Sequence, residues 1–480
     1  MPLAELARID ATELSRLTRA REISCREIMR FHWERIEAEN PEFNALVNLA
    51  DPKELFRQAD ERDAEIARGQ WRGWLHGMPV AIKDTSDAVD FPTTKGSALL
   101  ASHMPTRDSI MVERMRRAGC IVVGKSNVSE LALGSHTFNG LFGATRNAWD
   151  KSVSAGGSSG GAAVAVARGM LPVADGSDLM GSLRNPAAWN GIYALRPTQG
   201  RVPQGPGPDI WTEQLGASGP MGRTARDLGN LLSVQAGHDP RQPLSLHSKF
   251  DFDDAAEPDP REALRGLRVG WLGDLGGRLA MQRGVMEACE SALSRLAGLG
   301  AVVERVDLGF DVEELWQCWL KLRSAMIGAR VEPLLALPGA REGIKPEALW
   351  EYEISRSLSY REFILASQTR SRLYQRMRAM FADWDALALP SCQVWPFPIE
   401  SRWPESIEGR PMDTYHRWME VSIYATLAGS PAVAMPAGFH PERGWPMGIQ
   451  FMGAHGADAE LIRIARAYER GAAPESRAPA

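Results

Sequence analysis

GGSSGGAAVAVARGMLPVADGSDLMGSLR, residues 156–184, holds two serines in glycine-flanked turns, Ser158 and Ser182, on either side of a small apolar segment. Glycine beside a hydroxyl lets backbone N–H groups converge on whatever that hydroxyl attacks, because the missing Cβ permits unusual angles and close approach. The stretch reads as a hydrolase site that needs a base and a pocket from elsewhere. Between the serines, Ala162 to Ala167 is apolar on all sides, which suits a helix buried in a core. Leu171 to Ala174 reads as the next strand, and Asp175 to Ser182 as a second loop.

The same alternation extends outward in both directions. Upstream, Pro79-Val80-Ala81-Ile82 is a short apolar strand that delivers Lys83 and Asp84 at its end. Ser109 to Ala118 patterns as an amphipathic helix closed by Gly119, and Cys120 to Gly124 as a buried strand. Nearer the start, Asp10 with Glu13 and Ser24 with Glu27 form capping boxes; the second helix is expected to end at Asn40-Pro41. Downstream, Leu267–Leu272, Ala301–Val306, Asp385–Leu389, Ala432–Met435 and Met447–Met452 read as strands. Met281–Leu296 and Leu461–Arg470 read as helices, and Val312–Met380 as one long helical region. Strands alternating with helices over the whole length predict an α/β protein: a single large domain with a mixed, mainly parallel central sheet covered by helices on both faces. The expected boundaries are a helical part at 1–70, a catalytic core at 71–235 and a variable connection at 236–265. A second half at 266–470 carries a substrate-pocket insertion, and 471–480 is a disordered tail.

Composition removes several classes of function. The 480 residues carry a net charge of −5 with no long block of like charge, so no nucleic-acid partner is expected. No apolar run approaches the roughly 18 residues of a membrane span, and the first residues lack the apolar core of a signal peptide. The five cysteines are widely spaced and odd in number, which suits free thiols in a reducing, cytoplasmic setting. No metal site and no cofactor are expected.

The base is the harder question. GGSSG fits the GxSxG nucleophile elbow, but that elbow follows a buried strand, and Arg146 to Ala155 is polar and aperiodic. A flexible Gly/Ser linker is not normally followed by a fully apolar helix. The nine histidines are scattered without a triad pattern, and no SxxK occurs. A lysine can serve a serine nucleophile if burial keeps it neutral, and Lys83 at its strand end is the best placed.

These residues resemble the amidase signature family of serine hydrolases, which cleave the C–N bond of amides. The resemblance runs through Gly77–Asp84, Pro92-Thr93-Thr94 with Gly96-Ser97, Gly124–Leu131, Phe142–Asn147, the 156–184 block and Arg196–Val202. It returns at Gly429–Ala432, Pro436-Ala437-Gly438 and Gly448-Ile449-Gln450. It implies a Ser-Ser-Lys set with Ser182 as acyl-enzyme nucleophile, Ser158 as proton relay after a cis Gly157–Ser158 bond, and Lys83 as general base. It further implies an oxyanion hole from the backbone N–H groups of Leu179, Met180, Gly181 and Ser182. A single such donor is worth about 3 kcal/mol to a transition state. Asp178 and Arg184 are expected to pin the two loops together. Met180 departs from the family pattern, which has glycine there; either the loop shifts or Met180 walls a narrower pocket.

The substrate is expected to be a small-molecule carboxylic amide, with Leu131, Ala132 and His136 lining the cleft. Trp316, Trp319, Trp395 and Trp418 are candidates for an opposite wall suited to aryl groups, although such tryptophans more often fill a core and a histidine such as His136 more often makes a structural hydrogen bond. The family also contains the glutamine-hydrolysing subunit of the transamidosome, which carries a segment resembling RRIxLGTY. Residues 355–375, SRSLSYREFILASQTRSRLYQ, do not match it. A free-standing amidase is therefore the main expectation, with the transamidosome glutaminase or a poorly active amide-binding protein as alternatives. Homodimerisation is left open.

Overall fold

Two central strands of the main sheet are buried along their whole length, and that shapes the molecule. In the computed structural model, residues 6–7, 9–250, 252–253 and 259–474 are described. Three early strands, β1 (Leu46–Val47), β2 (Pro79–Lys83) and β3 (Ile121–Ser126), make a small sheet in the order β1-β3-β2. β4 (Phe138–Asn139) and β5 (Gly143–Ala144) form a short ribbon. The main sheet uses β6 (Val173–Asp178), β7 (Tyr193–Arg196), β8 (Ala217–Gly222), β9 (Arg268–Trp271), β10 (Val302–Arg305) and β11 (Ala386–Pro390). Beyond a second ribbon, β12 (Ser406–Ile407) with β13 (Arg410–Pro411), the sheet is completed by β14 (Ala432–Phe439) and β15 (Pro446–Met452). Its eight strands run β10-β9-β11-β15-β14-β7-β8-β6.

The mixed sheet and its two helical layers match expectation; its mainly parallel character does not. Within this eight-stranded sheet, among the described residues, only β10–β9 and β9–β11 pair in parallel, and the other pairings are antiparallel. The cause is connection length. A parallel pair needs a crossover of a dozen or more residues, which the Val285–Ala297 helix supplies between β9 and β10. Six residues join β14 to β15, enough only for a return.

Alternation along the strands divides the core. Ala386 and Ala388 of β11 belong to the core cluster that includes the Ala225–Gln235 and Asp458–Gly471 helices, while Leu387 and Leu389 belong to the one that includes the Val312–Val331 and Tyr360–Met380 helices. The four tryptophans weighed as a pocket wall against core all belong to this second cluster and are buried. Trp395 and Trp418 donate to Arg283 O and Tyr415 O at 3.0 Å. They are core, because the second layer needs large side chains to fill the space over the sheet.

Two local expectations change. The Cys25–Phe43 helix runs through Pro41 and stops at Asn44, which takes a left-handed conformation (φ 51°) while Asn40 Oδ1 accepts from Ala45 and Leu46 N–H. Residues 175–178, expected in a loop, continue β6 and pair with β8. The expected tail lies outside the described residues beyond 474. Among the described residues no helix is long and apolar enough to cross a membrane.

The Gly160–Ala167 helix is buried on all sides, and its first turn has no room for side chains. A Cβ at Gly161 would stand 2.4 Å from Ala45 O and 2.5 Å from Asn127 N. Both neighbours are backbone and cannot rotate away. Gly161→Ala is expected to destabilise the protein by about 1–3 kcal/mol, read as a lower urea midpoint at unchanged slope.

Candidate active site

β2 and β6 bring the base candidate to the Gly-Ser turn. Lys83 closes β2, and its N–H donates to Asp175 Oδ1 at 3.0 Å across to β6. Its side chain, fully buried, reaches into a ring of hydroxyls. Nζ lies 3.0 Å from Ser158 Oγ, 2.7 Å from Ser159 Oγ and 2.9 Å from Ser177 Oγ. Burial pulls the amine down to about 7, against the opposing pull of Asp175 and Asp178. At neutral pH much of it is therefore uncharged. A neutral amine has two N–H donors and one lone pair, so one of those hydroxyls must donate to it.

Asp175 sits beneath this amine, pushed up to about 6 by burial despite Lys83 N–H, Lys125 and Lys83. Its Oδ2 accepts no hydrogen bond among the described residues. Sequence reasoning gave Asp175, Ser159 and Ser177 no role. The only signal was their place, one residue from Ser158 or within the strand that faces Lys83.

The Gly-Ser turn is held by polar contacts on all sides. The Gly157–Ser158 peptide bond is cis. Gly157 O accepts from Ser135 Oγ at 2.6 Å, and Ser135 Oγ in turn accepts from Asn185 Nδ2 at 3.1 Å. A Cβ on Gly157 would lie 2.8 Å from Ser129 Oγ and 3.1 Å from His136 N.

Ser182 lies on the loop that leaves β6. Its carbonyl accepts from Ser159 N–H at 3.3 Å, which ties the two serine turns together. Ser182 is 5 % exposed, while Lys83 is wholly buried, so only the former offers a surface to an incoming molecule. No hydrogen bond joins Ser182 Oγ to Ser158 Oγ among the described residues.

Asp178 organises this loop. Its carboxylate receives Arg184 Nε and Nη2 at 2.9 and 2.8 Å, Gly181 N–H at 2.9 Å and Leu183 N–H at 3.2 Å. Burial alone would raise the Asp178 carboxyl, but Arg184, Arg196 and the Gly181 N–H hold it well below the usual range. Arg184 continues to Gln450 Oε1 (2.6 Å) and Ser422 O (2.9 Å), clamping the loop to the far side of the sheet. Gly181 takes φ 81°, and a Cβ there would meet Asn185 Oδ1 at 2.6 Å. Because Gly181 N–H is spent on Asp178, it drops out of the four expected oxyanion donors. Leu179, Met180 and Ser182 N–H take no acceptor among the described residues.

Met180 neither shifts the loop into the left-handed region nor walls the cleft. It is buried in the tryptophan-rich cluster with Trp189. His136 is likewise not free to meet a substrate: Nδ1 is 2.7 Å from Ser154 Oγ, Nε2 is 2.9 Å from Ile399 O, and burial lowers it to about 4. Leu131 and Ala132 are half-buried, both at positive φ (54° and 58°), and Leu131 shares an apolar cluster with Leu179 of the Ser182 loop. Among the described residues no three His, Cys, Asp or Glu side chains are grouped as metal ligands.

A family model described as Amidase matches residues 27–462. The chain belongs to the amidase signature family. Members of that family hydrolyse amides. The chain is 34% identical to the A-type subunit of glutamyl-tRNA(Gln) amidotransferase from Acidothermus cellulolyticus, over 97% of this chain and 95% of that one. Among solved structures it superposes on a bacterial aryl acylamidase of the same family with a TM-score of 0.89, at 28% identity over 96% of both chains. The corresponding glutamyl-tRNA(Gln) amidotransferase polypeptide of Thermotoga maritima superposes with a TM-score of 0.77, at 28% identity over 95% of both. These names bear on one expectation. A relative named as a subunit of a tRNA amidotransferase is at odds with the expectation of no nucleic-acid partner, which net charge and the lack of a long block of like charge had suggested.

Proposed function

We propose that this amidase signature protein cleaves the C–N bond of a carboxylic amide through an acyl-enzyme on Ser182. The observation that carries the reading is a fully buried lysine, near-neutral at physiological pH, 3.0 Å from Ser158 Oγ. Lys83 draws a proton from Ser158 as Ser158 draws one from Ser182, and Ser182 Oγ attacks the amide carbon. The Ser158–Ser182 step requires the two hydroxyls to come within hydrogen-bond distance, as catalytic hydrogen bonds do when a substrate tightens a site. Negative charge developing on the amide oxygen is met by the N–H groups of Leu179, Met180 and Ser182. The proton returns from Lys83 through Ser158 to the leaving nitrogen, and water then releases the acid by the same route.

The acyl donor divides this reading in two. The curated relatives favour the glutaminase subunit of a tRNA-dependent amidotransferase over the free-standing amidase expected from sequence. The absent RRIxLGTY segment supports the free-standing alternative, as does the good superposition on an aryl acylamidase. Treating the purified chain with a fluorophosphonate tests the shared chemistry: the adduct is expected on Ser182, and an unlabelled Ser182 in a folded protein overturns it. Assaying the chain alone on aryl amides and on glutamine then separates the donors. Aryl amide turnover without partners supports the free-standing enzyme. Glutamine turnover that appears only with other subunits and transfer RNA supports the other.

A further inference from the structure

Leu131 and Leu179, both half-buried, pack against one apolar cluster together with Met326 and Leu99. The loop before the Gly-Ser turn and the loop carrying Ser182 thus share a wall at the mouth of the site. Two cations stand beside it. Lys95 is fixed through its backbone: its N–H donates to Asp84 O at 2.9 Å, and its carbonyl accepts Leu131 N–H at 2.7 Å. Its side chain is exposed. Arg330 lies one helical turn beyond Met326 and pairs with Glu213. Glu213 comes four residues before Ala217, which sits opposite Asp178 in the β6–β8 ladder. That ion pair is therefore tethered to the strand end from which Leu179 and Ser182 emerge.

Lys95 and Arg330 are both exposed. Partial desolvation, and after it the Arg330 charge, lowers Lys95 from the ordinary lysine range, against the pull of Asp87 and Asp84. Asp84 is already committed to Thr94 and to Gly96 N–H. Arg330 has Glu213 as its ion-pair partner, whereas Lys95 has none among the described residues, and an anion set between the two cations meets both charges.

Resting on the Ser182 amidohydrolase reading, we propose that the amides taken by this site carry a net negative charge. A carboxylate set apart from the scissile bond is selected by Lys95 and Arg330, with Glu213 giving up Arg330 to it. Glu213 holds the place of that carboxylate beside Arg330, and its exchange conserves charge there. The apolar wall of Leu131, Leu179 and Met326 accommodates the linker between the carboxylate and the amide.

The test compares kcat/KM for three amides on the whole protein. Glutaric acid mono-para-nitroanilide carries its charge on the acyl side, and para-(pentanoylamino)benzoate on the amine side. Pentanoyl para-nitroanilide is the uncharged reference. The wild type is expected to favour one of the anionic amides over the reference by about tenfold or more, with a preference that shrinks as salt rises. Lys95→Met and Arg330→Met are each expected to cut that ratio by about tenfold, and Arg330→Lys to restore part of it. Using a ratio cancels any general damage to the fold. Neither anionic amide being preferred, or a ratio unmoved by both variants, overturns the proposal. Ser182-dependent hydrolysis of the uncharged amide without charge preference overturns the proposal alone. Activity that survives Ser182→Ala removes the catalytic reading beneath it as well.

Discussion

Lys83→Met is expected to lower kcat by about four orders of magnitude while leaving the folded structure intact. Methionine keeps the length of the side chain and removes the lone pair that sits 3.0 Å from Ser158 Oγ. Among the described residues Lys83 Nζ is the one hydrogen-bond partner of Ser158 Oγ, so its loss leaves that hydroxyl without a proton acceptor. The wild-type pH profile gives the second signature. Lys83 titrates at about 7 because burial disfavours its ammonium form. The competent, neutral form is therefore lost as the pH falls through 7, and kcat/KM is expected to rise with pH to a plateau above it. The variant's residual rate is expected to show no such step. Stability moves in the opposite sense from an ordinary salt-bridged lysine. Its folded pKa lies below the unfolded value of about 10.4, so the penalty for burying the amine is full below pH 7. It fades as the pH climbs through the window between them. Lys83→Met relieves that penalty at pH 7 and strands the Ser158, Ser159 and Ser177 hydroxyls, effects that oppose each other. A residual rate within tenfold of wild type, or a pH step that survives in the variant, would falsify the role of the amine.

Why Lys83 was legible and its surroundings were not is a matter of range. A lysine that ends an apolar strand is visible in a window of five residues, and the two serines are visible as glycine-flanked turns. Ser159 and Ser177 became partners of that amine only when β2 was laid beside β6, and no local pattern encodes that juxtaposition. The same limit explains the sheet. Strands buried on both faces are continuous apolar runs, so Ala386–Pro390 carries no mark of whether its neighbour runs with it or against it. Aromatic and imidazole side chains stay ambiguous in the sequence for a related reason. Trp316 and His136 have the chemistry of pocket residues, but burial and committed ring nitrogens are properties of packing. Gly181 shows the finest grain. Its place in the oxyanion loop follows from the Gly-Ser pattern, whereas the loss of its N–H to Asp178 depends on how a carboxylate three residues earlier is aimed.

That carboxylate makes Arg184→Met the largest expected loss of stability. Arg184 and Asp178 are wholly buried and joined by two hydrogen bonds. A buried pair contributes little net stability against an apolar replacement, but removing one partner leaves the other charge uncompensated, at a cost of about 3–5 kcal/mol. Arg196 stands 3.6 Å from Asp178 Oδ1, and the Gly181 and Leu183 N–H groups remain, which places the expected loss near the lower end. The pH dependence should also reverse. In the wild type the depressed Asp178 carboxyl contributes stability above its unfolded value of about 4, lost as the pH falls toward its folded value. Without Arg184, burial dominates and the carboxyl rises above 4. Its protonated form then fits the fold better, so stability is present at low pH and lost as the pH rises through the new value. Urea midpoints at pH 5 and pH 8 read this directly: the deficit of Arg184→Met relative to wild type is expected to be smaller at pH 5. Asp178→Asn added to Arg184→Met is expected to recover part of the loss, because the buried charge has gone. A double variant no more stable than Arg184→Met at pH 8 would mean that lost contacts to Gln450 and Ser422, rather than a stranded carboxylate, account for the damage.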